Sequence, residues 1–136
     1  LRTSWVFSAH GNNFVKTMLR LSETRDTLSI VADQIGGPTP ASAIAEACAH
    51  LSRNISTSGT YHFSGAPETS WAGFAREIFA QAGRAVTVQE ITTADFPTPA
   101  KRPLNSRLDC ASLLSDFTIS QPKWRNELNM VIRKLT

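Results

Sequence analysis

Apolar residues along the chain follow two alternating spacings, one typical of strands and the other typical of helices. The opening run 1–7 is rich in β-forming residues and is followed by a Gly-Asn-Asn cluster at 11–13. Beyond that cluster, apolar side chains recur at helical spacing, at Phe14, Val15, Met18, Leu19 and Leu21. The first unit is therefore predicted to be a strand, a loop and a helix.

A second unit of the same kind begins with the short apolar run 27–32. The turn-forming segment Asp-Gln-Ile-Gly-Gly-Pro follows at 33–38, and Thr39 with Pro40 fits an N-cap followed by a proline in the first helical turn. The stripe predicted to be buried behind this cap is formed by Ile44, Cys48 and Leu51.

A third unit has a strand at 60–63 and a helix capped by Thr69 or Ser70. Gly83 is predicted to end that helix. The face predicted to be shared along it is formed by Trp71, Phe74, Ala75, Ile78 and Ala82.

The remaining pattern predicts a half-buried strand at 85–91, an irregular proline-rich loop at 92–103, and a short helix capped by Asp109. The last helix is predicted to begin near Pro122 and to bury Trp124, Leu128, Val131 and Leu135. Strands that alternate with helices favour right-handed βαβ units, so the fold class is α/β with at least part of a parallel sheet.

Composition adds few constraints to this picture. The chain has 136 residues, 41% of them apolar and 18% charged, which is typical of one globular core. The net charge of +3 suits an anionic ligand, but the basic residues are too scattered to indicate nucleic acid. Cys48 and Cys110 lack CxxC spacing and nearby histidines, so both are interpreted as structural thiols and no metal site is predicted.

No apolar run approaches the roughly 20 residues that a membrane helix needs, and the amino-terminal residues lack the layout of a secretory signal. We therefore expect no membrane contact and a cytoplasmic location. The first residue is Leu1 rather than methionine, and the chain opens directly into a predicted strand. This favours the hypothesis that the sequence is part of a longer protein.

Ligands of open α/β sheets bind beyond the carboxyl ends of the strands, so the loops after the first two strands are the first candidates for a site. Four segments there and further along resemble, in order and spacing, the second half of dTDP-4-dehydrorhamnose reductases. They are Arg-Thr-Ser-Trp-Val-Phe at 2–7, Gly-Asn-Asn-Phe-Val-Lys-Thr-Met at 11–18, Asp-Gln-Ile-Gly-Gly-Pro-Thr at 33–39 and Arg-Pro-Leu-Asn-Ser-Arg-Leu at 102–108. The first is the most discriminating, since the last two occur more widely among short-chain dehydrogenases that handle nucleotide sugars.

This resemblance implies the closing part of a Rossmann-like parallel sheet, mainly within 1–65, and a small substrate-binding lobe, mainly within 66–136. It implies hydride transfer from NADPH or NADH to the 4-keto group of dTDP-6-deoxy-L-lyxo-4-hexulose, which gives dTDP-L-rhamnose. The family's glycine-rich turn and Tyr-x-x-x-Lys pair lie upstream of the matching region. Tyr61 is followed four positions later by Gly65, so no catalytic residue is predicted in this chain, and an amino-terminal half would bind most of the cofactor.

The resemblance also implies a substrate-binding role for residues of the first three segments. Trp5 is placed beside the sugar ring rather than only in the core, and Ser4 beside the nicotinamide or the sugar unless it is a plain strand-end residue. Asn13 is a candidate ligand contact or simply a helix cap, and Phe14 lies at the mouth of the site. Thr39 belongs to the same pocket loop, although its hydroxyl is expected to cap the following helix.

Gln34 is implied to form a wall of the substrate pocket, with satisfaction of loop backbone as the alternative. Arg102 and Arg107 are candidates for holding the diphosphate, because guanidinium binds phosphate oxygens in a bidentate way. The alternative for both is a solvated or ion-paired surface arginine. Asn105 and Ser106 either bind the nucleotide through neutral hydrogen bonds or only form the turn.

Two other functions are left open at this stage: a regulatory subunit that keeps the fold without catalysis, and another nucleotide-sugar reductase or epimerase. The partners expected are a dTDP-sugar, the amino-terminal half of the same protein and, as an open question, a second copy in a homodimer. The chain alone is expected to be inactive.

Overall fold

The computed structural model describes residues 1–136 and shows helices packed around short pairs of strands. In chain order the elements are β1 (Val6–Phe7), α1 (Phe14–Leu21), β2 (Thr27–Val31), β3 (Ile35–Gly36), β4 (Thr39–Pro40), α2 (Ala41–Asn54), β5 (Thr69–Ser70), α3 (Trp71–Gln81), β6 (Thr87–Ile91), a 3-10 turn (Thr93–Asp95), α4 (Ala111–Phe117) and α5 (Trp124–Leu135). The predicted α/β class is confirmed.

The strands form three separate pairs. β1 runs parallel to β4, and β2 runs parallel to β6 in a register that sets Thr27 beside Thr87. β3 and β5 are antiparallel, with Ile35 beside Ser70. Strand β2, predicted from a short apolar run, alternates in the structure: Leu28 and Ile30 are buried, and Thr27 and Ser29 are exposed.

The predicted opening strand 1–7 is wrong in its extent, because Trp5 interrupts it with a backbone φ of +51°. Before that residue Arg2 makes an isolated parallel bridge to His62, and after it Val6–Phe7 pairs with β4 instead. Such a left-handed backbone turns the chain from one neighbour to another. Ser4 and Trp5 therefore precede β1 rather than end it, and the predicted strand 60–63 is reduced to the single bridge at His62.

Local signals predicted two helices well. Asn13 caps α1 by accepting a hydrogen bond from the amide of Lys16 at 3.3 Å, and Ser70 caps α3 by accepting from the amide of Gly73 at 3.0 Å. Gly83 follows α3 with φ of +63°, the left-handed conformation that ends helices.

Most of the buried side chains form one large cluster between α1, β2, α3 and α5. It consists of Phe7, Val15, Met18, Leu19, Leu28, Ile30, Ala72, Phe74, Ala75, Ile78, Phe79, Trp124, Leu128 and Ile132. A smaller cluster contains Ala47, Phe63, Leu113 and Phe117. Each cluster draws on residues before and after position 65, and the division of the chain at that position stays a prediction.

Two predicted helix faces are corrected by this packing. In α2 the buried residue is Ala47, and Cys48, one position further round the helix, is exposed. In α5 the buried residue after Leu128 is Ile132, while Val131 and Leu135 lie at the cluster's edge. Cys110 is buried, as expected of a structural thiol. None of the helices has the length and apolar character needed to cross a membrane.

Candidate functional site

The loop 33–39 lies at the centre of the candidate site, and Thr39 fixes its far end. The hydroxyl of Thr39 donates to the carbonyl of Gly37 at 3.0 Å and accepts from the amide of Gly65 at 3.2 Å. The predicted N-cap role of Thr39 is therefore wrong: the hydroxyl is used across the fold, Pro40 occupies the cap position, and α2 has no side-chain cap. A ligand contact of Thr39 stays a prediction.

Strand β3 brings the third and fourth motif segments together. The amide of Ile35 donates to the carbonyl of Leu104, and the amide of Ser106 donates to the carbonyl of Ile35, both at 2.8 Å. On its other side Ile35 pairs with Ser70. The side-chain oxygen of Asn105 accepts from the amide of Arg107 at 3.1 Å, so Asn105 forms the turn, and its contact with a nucleotide stays a prediction.

The first segment reaches the same loop through Trp5. The amide of Thr39 donates to the carbonyl of Trp5 at 3.0 Å. The indole of Trp5 lies so close over Gly36 that a Cβ added to this glycine would be 2.6 Å from Cε2 of the indole. Glycine at position 36 is thus required by the approach of the ring.

Trp71 is a site residue that the sequence pattern assigned only to a core face. Its indole stacks on Trp5 with ring centroids 3.6 Å apart, and the ring of Phe14 lies 4.7 Å from the Trp71 indole, measured between centroids. The available signal was its position directly after the cap residue Ser70. Side chains in a helix tilt toward its amino terminus, so an aromatic residue there points at the preceding loops.

A chain of hydrogen bonds links Trp71 to a carboxylate. Nε1 of Trp71 donates to Oε1 of Gln34 at 3.2 Å, and Nε2 of Gln34 donates to Oγ1 of Thr93 at 3.1 Å. The hydroxyl of Thr93 in turn donates to Asp33 at 2.7 Å, and the Thr93 amide donates to the same carboxylate at 2.9 Å. These hydrogen bonds hold the pKa of Asp33 below its ordinary value, and the bond from the Thr93 amide has a larger effect than the bond from its hydroxyl. Sequence reasoning missed Thr93 because it lies in the proline-rich loop region.

A cleft of about 430 Å³ opens beside the loop. At its rim Nε of Arg107 lies 3.1 Å from a carboxylate oxygen of Glu68, and both side chains are half-exposed. Along its lining, Nε2 of Gln121 donates to the carbonyl of Ser64 at 3.0 Å. The residues that line the cleft are Gly37, Ser64, Gly65, Ala66, Pro67, Glu68, Arg107, Leu108 and Gln121. Of the two candidate arginines, only Arg107 reaches it.

Arg107 is the predicted site residue that lines the cleft, and the other nine do not: Ser4, Trp5, Asn13, Phe14, Gln34, Thr39, Arg102, Asn105 and Ser106. Arg102 is exposed and does not line the cleft. The Asn13 amide group donates to the carbonyl of Ser8 at 2.8 Å while its oxygen caps α1, so the helix-cap alternative accounts for both ends of the side chain. The hydroxyl of Ser4 is buried without a hydrogen-bond partner. Ligand contacts of these nine residues stay predictions.

The paired glycines of the loop are explained by packing within the chain. A Cβ at Gly36 would meet Trp5, and one at Gly37 would lie 2.2 Å from the carbonyl oxygen of Gly65. The absent side chains therefore make room for protein atoms and not for a pyrophosphate. The residues described here do not fit the dinucleotide grip that the resemblance places upstream. No group of three or more His, Cys, Asp or Glu side chains is close enough to hold a metal ion.

Residues 1–136 match the family model described as the RmlD substrate binding domain. A curated relative, the dTDP-4-dehydrorhamnose reductase of Sinorhizobium fredii, is 44% identical in a match that covers 97% of this chain and 48% of the relative. The chain thus spans about half the length of the curated relatives it matches.

Two solved structures are also similar. A crystal structure of a dTDP-4-dehydrorhamnose reductase from Clostridium acetobutylicum is 38% identical with a TM-score of 0.93, covering 98% of this chain and 47% of the other. The corresponding reductase from Bacillus anthracis, solved in complex with NADP, is 38% identical with a TM-score of 0.88, covering 99% of this chain and 47% of the other.

Proposed function

This chain belongs to the RmlD substrate binding domain family, and on that basis we propose that it is the sugar-nucleotide-binding half of a dTDP-4-dehydrorhamnose reductase. The reaction of the whole protein is the NAD(P)H-dependent reduction of the 4-keto group of dTDP-6-deoxy-L-lyxo-4-hexulose to dTDP-L-rhamnose. The hydride donor and the proton donor belong to an amino-terminal half outside these 136 residues. A cytoplasmic location and a homodimer are part of the same proposal.

The convergence of three distant motif segments on β3 is the observation that carries this proposal. Trp5 covers Gly36 from one side. The segment that leads to Arg107 joins the neighbouring residue Ile35 through the bridge at Asn105. An aromatic ring and a guanidinium group thereby flank one loop, which suits a ligand with a sugar ring at one end and a diphosphate at the other.

The contribution of this half to the reaction is binding and orientation. Arg107 lies at the rim of the cleft and has the fixed charge and the planar set of N–H donors that a diphosphate needs; its Nε is paired with Glu68. Trp5, fixed by its stack on Trp71, offers an apolar edge against which a deoxysugar can rest. A substrate held at both ends presents its ketone to the hydride donor in one orientation. Fixing the orientation of two reactants accounts for much of the acceleration of a bimolecular step.

The test compares the full-length protein that contains this chain with the 136-residue chain alone. The full-length protein is expected to oxidise NADPH when the dehydro sugar nucleotide is added, and the isolated chain is expected to show no turnover above background. Turnover by the isolated chain would contradict the assignment. A full-length protein that binds dTDP without turnover would favour the regulatory-subunit alternative.

A further inference from the structure

The hydrogen bonds between Asp33 and Trp71 have only one consistent direction. An ionised carboxylate is an acceptor only, so the hydroxyl of Thr93, 2.7 Å from Asp33, donates its proton to that group. The Thr93 oxygen is then left to accept, and the part of Gln34 that faces it at 3.1 Å is the amide nitrogen.

The orientation of Gln34 decides what Trp71 meets. With its nitrogen on Thr93, the Gln34 amide turns its oxygen toward Nε1 of Trp71, which is a donor only, at 3.2 Å. The opposite orientation would set two acceptors against each other at Thr93 and two donors against each other at Trp71. Both clashes would be costly, since Gln34 is only 8% exposed. The charge on Asp33 therefore fixes the indole of Trp71 through two intermediates.

The series of hydrogen bonds from Asp33 to Trp71 begins beside the strand pair β2 and β6, which is the most regular part of the sheet structure. Asp33 follows β2 and Thr93 follows β6, and these two strands pair in parallel over five residues each. The pairing continues beyond them, because the amide of Ala32 donates to the carbonyl of Ile91 at 2.9 Å. The Thr93 backbone is thus held by the sheet and by Asp33 independently of its hydroxyl.

We propose that Thr93, oriented by Asp33, is a positioning residue that sets the Trp71 indole on which Trp5 stacks, and thereby places Trp5 for the substrate. Asp33 and Thr93 act on Trp71 through the side chain of Gln34. The last step of the proposal rests on the proposed function, because only there does Trp5 contact the sugar.

The structure offers a matched set of variants for the test. Thr93→Val keeps the shape and the backbone hydrogen bond to Asp33 but leaves the nitrogen of Gln34 without an acceptor. Thr93→Ser restores the hydroxyl. Thr87→Val makes the same chemical change at an exposed position of β6 and is the control.

Two readouts are measured on the full-length protein. The first is the circular dichroism of the stacked indoles, defined as the signal that Trp5→Phe removes. The second is KM for the dTDP-sugar, which is determined together with kcat so that an effect on one can be told from an effect on the other. Thr93→Val is expected to lose most of the indole signal and to raise KM about tenfold, which matches the loss of one buried hydrogen bond. Thr93→Ser is expected to recover both, and Thr87→Val to change neither.

The possible outcomes separate this proposal from the proposed function. If Thr93→Val keeps the full indole signal, Thr93 does not position the tryptophans and the inference is overturned, even if the melting temperature falls. If the signal is lost and KM is unchanged, the positioning is correct and the contact of Trp5 with the sugar is wrong. If the signal is lost in a protein that neither binds nor reduces a dTDP-sugar, the proposed function fails while Thr93 keeps its role.

Discussion

The indole of Trp5 lies nearly parallel to the indole of Trp71, with ring centroids 3.6 Å apart and ring planes inclined by 8°. Trp5 precedes β1 and Trp71 is the first residue of α3, so the contact joins the first motif segment to a helix from a different unit of the chain. An aromatic pair of this kind contributes about 0.5–1.5 kcal/mol beyond the area it buries.

Trp71→Phe tests the hydrogen bond from the Trp71 indole to the side-chain oxygen of Gln34. Phenylalanine keeps an aromatic face for Trp5 but removes the donor to Gln34, whose oxygen is then buried and unpaired. We expect the free energy of unfolding, measured in urea, to fall by about 1–3 kcal/mol. In a Gln34→Leu background the same substitution is expected to cost less than about 0.5 kcal/mol. An equal loss in both backgrounds would show that the hydrogen bond is not its cause.

Gly36→Ala tests the approach of Trp5 to the pocket loop. The new methyl group would lie 2.6 Å from Cε2 of the indole, so the ring has to move. We expect a destabilisation of about 1–3 kcal/mol, typical of overpacking, together with loss of the indole circular dichroism. Gly59→Ala is the control, since a Cβ there would meet Tyr61 at an ordinary 3.4 Å. Unchanged stability and spectrum in Gly36→Ala would contradict the position of the ring.

Arg107→Ala tests the proposed diphosphate contact. Loss of a hydrogen bond to a charged group costs about 1.5–3 kcal/mol, so KM for the dTDP-sugar is expected to rise at least about tenfold in the full-length enzyme, with a smaller change in kcat. Arg107→Lys should recover only part, because it lacks the planar fork. Arg25→Ala removes the same charge from an exposed turn and is expected to have no effect. A KM within twofold of the parent enzyme would mean that Arg107 is a surface residue.

Glu68→Gln tests the ion pair at the rim of the same cleft. The Glu68 carboxylate lies 3.1 Å from Nε of Arg107 and occupies a guanidinium edge that a diphosphate would use. Exposed pairs contribute about 0.2–1 kcal/mol, so the substitution is expected to lower KM by up to about fivefold and to leave the melting temperature nearly unchanged. A rise in KM would show that Glu68 helps to hold the substrate instead of competing with it.

The carboxylate of Asp33 gives the fold a specific dependence on acid. Its pKa is lowered from an ordinary 3.8, so ionised Asp33 stabilises the folded state above that pH, and the stabilisation is lost as the pH falls through the lowered value. The difference in unfolding free energy between the parent chain and Asp33→Asn should be constant near neutral pH and shrink in acid. A difference that does not change with pH would contradict the assignment to Asp33.

Features controlled by neighbouring residues were predicted from the sequence. Asn13 and Ser70 cap their helices because each accepts from an amide three positions later, and Gly83 ends α3 because glycine adopts a positive φ at little cost. The sequence also predicted the strand at 85–91 and a partly parallel sheet, but it did not predict that residues 87–91 pair with 27–31.

Features controlled by distant partners were not predicted. The hydroxyl of Thr39 bonds to Gly65 rather than to its own helix, because the approach of that backbone is decided by the whole fold. The sequence pattern assigns Trp71 to a core face, and its contacts with Trp5 and Gln34 appear only in the folded structure. The family resemblance pointed to the loop 33–39 and to Arg107 as candidates, whereas the hydrogen bond from Gln34 to Thr93 became visible only in the folded structure.

The position of α5 in the larger core has a consequence for biosynthesis. Trp124 packs edge-on against Phe74 at a centroid distance of 5.2 Å and donates its indole proton to the carbonyl of Pro67 at 2.6 Å. A ribosome translates α3 well before it reaches Trp124, and until then the part of α3 that packs on α5 has no partner. Nascent chains in that state are targets for chaperones. The domain can therefore complete its folding only after residue 132, the last of the buried cluster, has left the exit tunnel.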